Sequence, residues 1–326
     1  MIPAASPPPL TTHPAARPPK ALYDLPAPAK LNLFLHVTGR RADGYHLLQS
    51  AFVLIDWADT LHLECRADGR LARHDLGPAL PADDLSLRAA RALQQASGCP
   101  LGADISVLKT VPWGAGLGGG SSDAATVLLG LNRLWGLHWP RERLLALATP
   151  LGADVPFFVG GENAWVEGIG EQLTPLAWSP RWYAVAKPAQ PVATAGIFSH
   201  PSLPRNTVAA TMESFLAHES ERGWMTARQG TGGGTPSPPA FGRNDLQPVA
   251  ETLCPEIAQV AQYLDSRIGP SRMTGSGSAV FAGAGTGDRP VAAESAGSAL
   301  FSDLPAGWVA RMCRSLPHHP LRGWAG

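Results

Sequence analysis

The feature that most constrains this chain is a glycine-rich stretch, "WGAGLGGGSSDAA" at Trp113–Ala125. Five of the seven residues from Gly114 to Gly120 are glycine, and glycine destabilises the interior of helices and strands. The preceding segment, "ADISVLKTV" at Ala103–Val111, has the apolar pattern of a strand. Apolar residues then recur at helical spacing at Ala124, Val127, Leu128, Leu131 and Trp135. The glycines therefore predict a strand-to-helix turn.

A glycine turn between a strand and a helix is typical of an anion site. Backbone N–H groups of the turn and the helix dipole both attract negative charge, and missing Cβ atoms allow phosphate oxygens to approach. Ser121 and Ser122 offer hydroxyl groups, while Asp123 suits the first helical turn. A flexible surface loop is the alternative, but the framing strand and amphipathic helix favour a phosphate loop.

The common phosphate loops do not match this turn. Gly114, Gly116 and Gly119 satisfy G-x-G-x-x-G, but the acidic residue expected about 20 positions later in dinucleotide-binding proteins is missing from "GLHWPRERLL". The lysine of the Walker motif is also missing, because Ser121 follows Gly120. The protein-kinase H-R-D and D-F-G motifs do not occur. The sequence thus predicts a phosphate loop of another type.

Composition narrows the function further. The 326 residues predict about two domains, and 26 basic against 26 acidic residues give no electrostatic case for a nucleic-acid partner. The four cysteines are scattered, which indicates reduced thiols and a cytoplasmic protein. No apolar run approaches the roughly 20 residues of a membrane span, so no membrane partner is expected.

Three motifs in order resemble those of the GHMP kinases, a superfamily of small-molecule kinases. They are "PAKLNLFLHV" (Pro28–Val37), the glycine stretch, and "MTGSGSAVFA" (Met273–Ala282). The resemblance implies an α+β fold with a ribosomal-protein-S5-like N-terminal domain, a ferredoxin-like C-terminal domain and an active site in the interdomain cleft. We expect a disordered extension at 1–20, an ATP-binding domain at 21–180, a substrate domain at 181–316 with a mobile loop at 227–242, and a tail at 317–326.

Within the superfamily, "DGYH", "LGADVPFFVGGENAWVEGIGEQLTPL" and "NDLQPVA" resemble the kinases of the non-mevalonate isoprenoid pathway that phosphorylate a cytidine diphosphate conjugate of methylerythritol. The resemblance implies direct in-line transfer from ATP, with Mg²⁺, to the 2-hydroxyl, by a monomer or weak homodimer. Another small-molecule GHMP kinase, such as a homoserine or mevalonate enzyme, and a non-catalytic binding protein are the alternatives.

The resemblance also assigns the catalytic pair. Asp154, in "GADVPFF", would accept the hydroxyl proton, and Lys30, in "AKLNL", would keep that carboxylate ionised. Asn32 points to the same face of its strand as Lys30 and could orient the hydroxyl or a phosphate. The alternatives are a helix N-cap for Asp154, an exposed strand-edge residue for Lys30 and a satisfied strand polar residue for Asn32.

The remaining assignments concern the two substrates. The cytidine-containing substrate would be bound by Tyr45, His46, Phe198 and Thr194, with aromatic rings stacked on the base. For Phe198 the alternative is an ordinary core phenylalanine. ATP would lie against Gly114, Gly116, Leu117, Gly118, Gly119, Gly120, Ser121, Ser122 and Lys109. Gly275, Ser276 and Gly277 would form a turn that closes the site, with an ordinary hairpin turn as the alternative. The sequence indicates no particular metal ligand.

One position departs from the family pattern. The family commonly has asparagine where this chain has Asp84, directly before Leu85. An asparagine amide both donates and accepts hydrogen bonds, whereas an aspartate carboxylate only accepts. The resemblance therefore does not extend to recognition of adenine from this position.

Overall fold

The structure is a computed structural model that describes residues 19–222, 241–286, 290 and 300–325. Residues 1–18 of the predicted extension, and the predicted mobile loop except its last two residues, lie outside this part of the chain. None of the described helices is long and apolar enough to cross a membrane.

Two long strands form the spine of the first sheet. β1 (Ala21–Arg40) and β2 (His46–Arg66) pair antiparallel along nearly their whole length. The alternation in β1 is real, with Leu31 and Leu33 in the core and the polar side chains of Lys30 and Asn32 between them. The polar face is buried as well, so both faces of this part of β1 are covered.

The other strands of this sheet attach to the free edge of β2. β4 (Gly102–Leu108) pairs with one end of β2 and β5 (Ala164–Glu167) with the other. β3 (Leu71–Asp75) and β6 (Gln172–Pro175) extend the two ends, and the β3–β4 pair is the parallel one. The middle of β2 therefore faces a gap between β4 and β5.

Four helices cover one face of the first sheet. They are α1 (Leu85–Ser97), α2 (Gly119–Leu134), α3 (Arg141–Ala148) and α4 (Val155–Gly160), and their apolar residues share one core with the sheet. α1 begins after Asp84, whose side chain accepts a hydrogen bond from the Leu87 N–H, and ends at Gly98 in the left-handed conformation (φ 64°). Both ends of α1 are therefore determined by local capping residues.

The second domain contains a four-stranded antiparallel sheet. Its order is β10 (Val309–Arg314), β7 (Arg181–Lys187), β9 (Val280–Thr286), β8 (Ser271–Met273). Its helices are α5 (Thr194–Ser199), α6 (Met212–Arg222), α7 (Gln247–Leu253) and α8 (Glu256–Arg267). The two sheets and their helices give the mixed α+β architecture that the resemblance implies.

After β10 the chain returns to the first domain. The Leu316 N–H donates to the Leu54 carbonyl at 2.8 Å, in the gap along β2. The His319 N–H donates to Gly161 O at 2.8 Å, and Leu321 and Ala325 are buried in the first core. Residues 317–325, expected as a tail, are therefore packed onto the first domain.

Candidate active site

A cleft of about 750 Å³ lies between the two sheets, and a smaller one of about 250 Å³ joins it at the glycine turn. The floor of the large cleft comes from β1 and β2, and its walls come from the residue that precedes α4, from α5 and from the two glycine turns. The two cavities share Gly116, Gly118, Ser121, Thr194 and Ser276. A long ligand can thus extend from one cavity into the other past the glycine turn.

The backbone of the glycine turn forms an anion cradle. Gly114, Gly116 and Gly118 take left-handed φ values of 63°, 71° and 73°, and such alternation directs successive N–H groups toward one point. α2 starts directly afterwards at Gly119. Ser121 lines both cavities, whereas the side chain of Ser122 is buried and lines neither of them. Of the two predicted serine hydroxyls, only that of Ser121 faces the cleft.

The second glycine turn packs directly on the first. The Ala279 N–H donates to Ala115 O at 3.1 Å, and Gly275 and Ser276 line the large cleft. The Thr194 and Ser276 hydroxyls are 2.7 Å apart, which connects the start of α5 to this turn. The predicted residues of the late turn therefore lie at the junction of the two cavities.

Lys30 and Asp154 form an ion pair in the large cleft. Lys30 Nζ lies 3.5 Å from Asp154 Oδ2, with 4% of the lysine side chain and 29% of the aspartate side chain exposed. Lys30 also donates to Asn32 Oδ1, and its ammonium lies 4.5 Å from the centre of the Phe52 ring. Burial lowers the Lys30 pKa, and the Asp154 carboxylate opposes that shift. Lys30 is thus not an exposed edge residue.

The Asp154 carboxylate is not used as a helix cap. Asp154 occupies the N-cap position of α4, yet its side chain accepts no capping hydrogen bond. Asn32 is also fixed, because its Nδ2 donates to Ser50 Oγ at 3.0 Å and its backbone N–H donates to Thr274 Oγ1 at 2.9 Å. The carboxylate is therefore available to a ligand, next to a rigid polar floor.

The far end of the large cleft carries the predicted aromatic residues. The rings of His46 and Phe198 have centres 5.1 Å apart and are tilted by 32°, and Tyr45 is exposed at the rim. Arg205 Nε donates to His46 Nε2 at 3.2 Å. Burial, followed by the positive charges of Arg205 and Arg40, lowers the His46 pKa. This end offers flat apolar surfaces and a neutral imidazole.

Lys109 forms ion pairs with two buried carboxylates. It donates to Asp59 and, at 2.6 Å, to Asp123 Oδ2, while it also lines the small cavity. Burial raises the Asp123 pKa to about 7, against the charge of Lys109. Burial alone would lower the Lys109 pKa, but the charges of Asp123 and Asp59 raise it. Lys109 therefore pairs with two carboxylates next to the glycine turn, and it also lines the small cavity.

Asp84 also forms an ion pair, and it does not line the small cavity. Its carboxylate caps α1 and lies 2.9 Å from Arg73 Nη1. The small cavity is instead lined by Leu85, Val111 and Trp113, with 70% of Trp113 exposed. Asp84 thus has a structural role here, and Leu85, Val111 and Trp113 contribute apolar surface to the small cavity.

Comparison with known proteins identifies the chain. Residues 84–162 match the family model "GHMP kinases N terminal domain", and residues 239–303 match "GHMP kinases C terminal". The 4-diphosphocytidyl-2-C-methyl-D-erythritol kinase of Methylibium petroleiphilum is 64% identical over 94% of this chain and 99% of its own length. The chain belongs to the GHMP kinases, in the 4-diphosphocytidyl-2-C-methyl-D-erythritol kinase family. The 4-diphosphocytidyl-2-C-methyl-D-erythritol kinase of Polaromonas naphthalenivorans is 53% identical over 95% of this GHMP kinase and 98% of its own length.

Solved structures confirm the fold of this GHMP kinase. A crystal structure of 4-(cytidine 5'-diphospho)-2C-methyl-D-erythritol kinase superposes with a TM-score of 0.69 at 35% identity, covering 89% of this chain and 98% of that one. A homoserine kinase from Cytophaga hutchinsonii gives a TM-score of 0.65 at 16% identity, covering 95% and 98%. The second likeness shows the fold alone. The two-domain fold implied by the resemblance is therefore confirmed.

The sequence did not indicate two residues that contact the candidate site of this GHMP kinase. Arg205 contacts His46, and Asp59 contacts Lys109, across 159 and 50 positions of the chain. Neither residue lies in a recognised motif or at a sequence spacing that indicates a functional site. Only the tertiary contacts could find them.

Proposed function

We propose that this GHMP kinase transfers the γ-phosphoryl group of ATP to the 2-hydroxyl of 4-diphosphocytidyl-2-C-methyl-D-erythritol. The observation that carries the proposal is the position of the Lys30–Asp154 pair. It lies in the large cleft together with Gly116, Gly118 and Ser121 of the phosphate loop and with Tyr45, His46 and Phe198. A donor phosphate, a reacting hydroxyl and a pyrimidine base can thus occupy one cleft in that order.

ATP is assigned to the glycine turn and the small cavity. The phosphates would lie against the N–H groups of Gly116–Gly120 and the Ser121 hydroxyl, at the start of α2. The adenine would enter the small cavity beside Leu85 and Trp113, where the wall is apolar. Lys109 would act there indirectly, through the carboxylates that fix the loop.

Magnesium would enter with ATP as part of the substrate. The described residues contain no group of three or more histidine, cysteine, aspartate or glutamate side chains that could hold a metal ion. Mg²⁺ readily takes most of its ligands from phosphates and water. The Ser121 hydroxyl, which lines the cleft, is an oxygen donor that fits an ion held mainly by phosphates and water. When bound, the ion would neutralise phosphate charge.

The transfer itself requires positioning and one proton acceptor. The substrate oxygen attacks the γ-phosphorus, the bond from that phosphorus to the bridging oxygen of the β-phosphate breaks, and ADP leaves. The hydroxyl proton passes to Asp154. Lys30 stabilises the ionised carboxylate and faces the negative oxygens, and Asn32 fixes the lysine. No covalent phosphoenzyme is needed.

The cytidine end supplies the substrate selectivity. The base would stack between Tyr45 and Phe198, whose rings are large and rigid. Thr194 and Ser276 lie at the junction of the cavities and would contact the diphosphate end of the substrate. The monomer or weak homodimer and the cytoplasmic location remain predictions.

Replacement of the catalytic pair tests the mechanism. Asp154→Asn and Lys30→Met should each lower kcat by roughly 10²- to 10⁴-fold, the range for general-base catalysis, while ATP binding changes only a few-fold. Asp68→Asn and Lys20→Met, outside both cavities, serve as matched controls. Retention of most of the wild-type kcat by Asp154→Asn would refute the base assignment.

A substrate comparison tests the specificity. The cytidine conjugate, the same methylerythritol phosphate without cytidine, mevalonate and homoserine should be offered at equal concentrations with ATP. Only the first should be turned over efficiently. Equal rates with and without cytidine would remove the roles of Tyr45, His46 and Phe198, and faster phosphorylation of mevalonate or homoserine would overturn the proposal.

A further inference from the structure

Arg205 holds an unusual position between the two elements of the base-binding end. Its Nη1 donates to Leu203 O at 3.0 Å, and its Nη2 donates to His200 O at 2.9 Å. A weaker contact joins Nη2 to Phe198 O at 3.4 Å. The two terminal nitrogens of the guanidinium thus donate to backbone carbonyls between Phe198 and Leu203, and the Nε–H is directed at His46.

This contact determines which imidazole nitrogen carries the proton. Arginine has five N–H donors and no acceptor, so His46 Nε2 must offer a lone pair. A neutral imidazole with an unprotonated Nε2 carries its hydrogen on Nδ1. Burial and the charges of Arg205 and Arg40 lower the His46 pKa, which favours this neutral form. His46 lines the large cleft, and the ring nitrogen left free by Arg205 is a hydrogen-bond donor.

The ring position allows that donor to meet the edge of a base. The imidazole lies beside Phe198, with ring centres 5.1 Å apart, and both residues line the large cleft with Tyr45. A base that stacks on the aromatic rings would present its edge to the imidazole. Cytosine has an acceptor at N3, whereas uracil has an N–H donor at that atom. A fixed Nδ1–H can bond the first and repels the second.

We propose that Arg205 is a positioning residue that holds His46 as the Nδ1–H tautomer and thereby selects cytosine over uracil. The inference rests on the proposed function, because it assumes that a pyrimidine base occupies this end of the cleft. Without the Arg205 donor, the imidazole can exchange its proton between the nitrogens. It can then accept a hydrogen bond from uracil N3–H.

The test compares Arg205→Met with wild type on the cytidine conjugate and on its uridine counterpart. Wild type should favour cytidine in kcat/KM, and Arg205→Met should reduce that preference at least about tenfold, as expected for an unpaired hydrogen-bonding group. Arg267→Met, an arginine outside both cavities, should leave the preference unchanged. An unchanged preference in Arg205→Met would overturn the inference.

A double-mutant cycle separates the tautomer from general damage to the cleft. A glutamine amide can present either a donor or an acceptor, so His46→Gln should lose the preference by itself. Adding Arg205→Met to His46→Gln should then cause no further loss of preference. Additive losses would show that Arg205 acts independently of His46 and would overturn the inference.

Nitrogen NMR of the wild-type protein gives a second readout that needs no stable Arg205 variant. The His46 resonances, assigned by their loss in His46→Gln, should show an unprotonated Nε2 and a protonated Nδ1 at pH 7. A protonated Nε2 would refute the inference. If wild type did not phosphorylate the cytidine conjugate at all, the proposed function would fail instead, so the two failures are distinguishable.

Discussion

Gly116 and Thr274 lie so close that a Cβ atom built on Gly116 would sit 2.2 Å from the Thr274 carbonyl oxygen. Thr274 begins the late glycine turn, and its Oγ1 accepts a hydrogen bond from the Asn32 backbone. The phosphate loop, the late turn and the strand of Lys30 therefore meet in one tight backbone contact. Any side chain at Gly116 must separate them.

Gly116→Ala should damage both stability and activity. The left-handed φ of 71° is unfavourable for alanine by roughly 1–2 kcal/mol, and the clash adds to that cost. A displacement of about 1 Å at the phosphate loop is sufficient to lower kcat/KM by up to about 100-fold. Denaturant unfolding and steady-state kinetics check the two effects. Gly120→Ala is the stability control, because nothing lies within 4 Å of its added Cβ; equal destabilisation of both variants would contradict the explanation.

Lys109→Met should destabilise the protein by about 3–5 kcal/mol, because it leaves two buried carboxylates without their cation. The Asp123 pKa of about 7 lies above its unfolded value of 3.8, so the protonated form stabilises the fold. That contribution is complete below pH 3.8 and is lost as pH rises through 7.

The damage from Lys109→Met should consequently be larger at pH 8 than at pH 5, as measured by urea unfolding at both values. Adding Asp123→Asn should restore part of the stability and remove the pH dependence. A variant that unfolds like wild type but has a raised KM for ATP would instead support direct contact of Lys109 with the nucleotide.

Trp113 should report nucleotide binding. Its indole is 70% exposed and lines the small cavity, so an adenine placed there would cover it and change its fluorescence. Titration with ATP should alter the emission of wild type but much less that of Trp113→Phe. Inorganic triphosphate is the control ligand, because it can fill the loop without a base. An equal response to triphosphate and ATP would argue against adenine in this cavity.

His319 should make the packing of residues 317–325 sensitive to acid. Burial, with a smaller contribution from the Arg141 charge, lowers the His319 pKa to about 3 from an unfolded value of 6.5. Because the unfolded state binds the proton more readily, stability is complete above pH 6.5 and falls as pH decreases toward 3. The protection factors of this segment in hydrogen exchange, which correct for the intrinsic pH dependence of amide exchange, should therefore be lower at pH 4.5 than at pH 7.

The matched comparison for His319 uses a second histidine with the same local hydrogen bond. His319 Nδ1 accepts from the Leu321 N–H at 3.0 Å, and half-buried His200 Nδ1 accepts from the Ser202 N–H at 3.2 Å. His319→Asn should reduce the acid sensitivity of residues 317–325, whereas His200→Asn should not. Unchanged sensitivity in His319→Asn would assign the effect to other groups.

The sequence could predict what local chemistry determines. Alternating polar residues at Lys30 and Asn32, glycines where backbones approach, and Asp84 with Gly98 at the ends of α1 all leave signals within a few positions. Even there, the alternation of β1 does not show whether its polar face meets water or a buried cleft. The structure places that face in the cleft.

Long-range contacts explain what could not be predicted. The partner of His46 lies 159 residues away, and that of Lys109 lies 50 residues away. The different orientations of Ser121 and Ser122 depend on where α2 begins relative to the core. The packing of residues 317–325 depends on a gap in a sheet formed by strands that precede them by more than 100 positions.

That gap has a consequence for synthesis of the protein. The middle of β2 receives its hydrogen-bond partner at Leu316 only after the whole second sheet has been translated. Until then, a growing chain on the ribosome carries a first domain with an unpaired stretch of strand edge, a feature prone to wrong pairing. Fragments that end before residue 315 should share that defect, because the first domain is completed only by residues from the end of the chain.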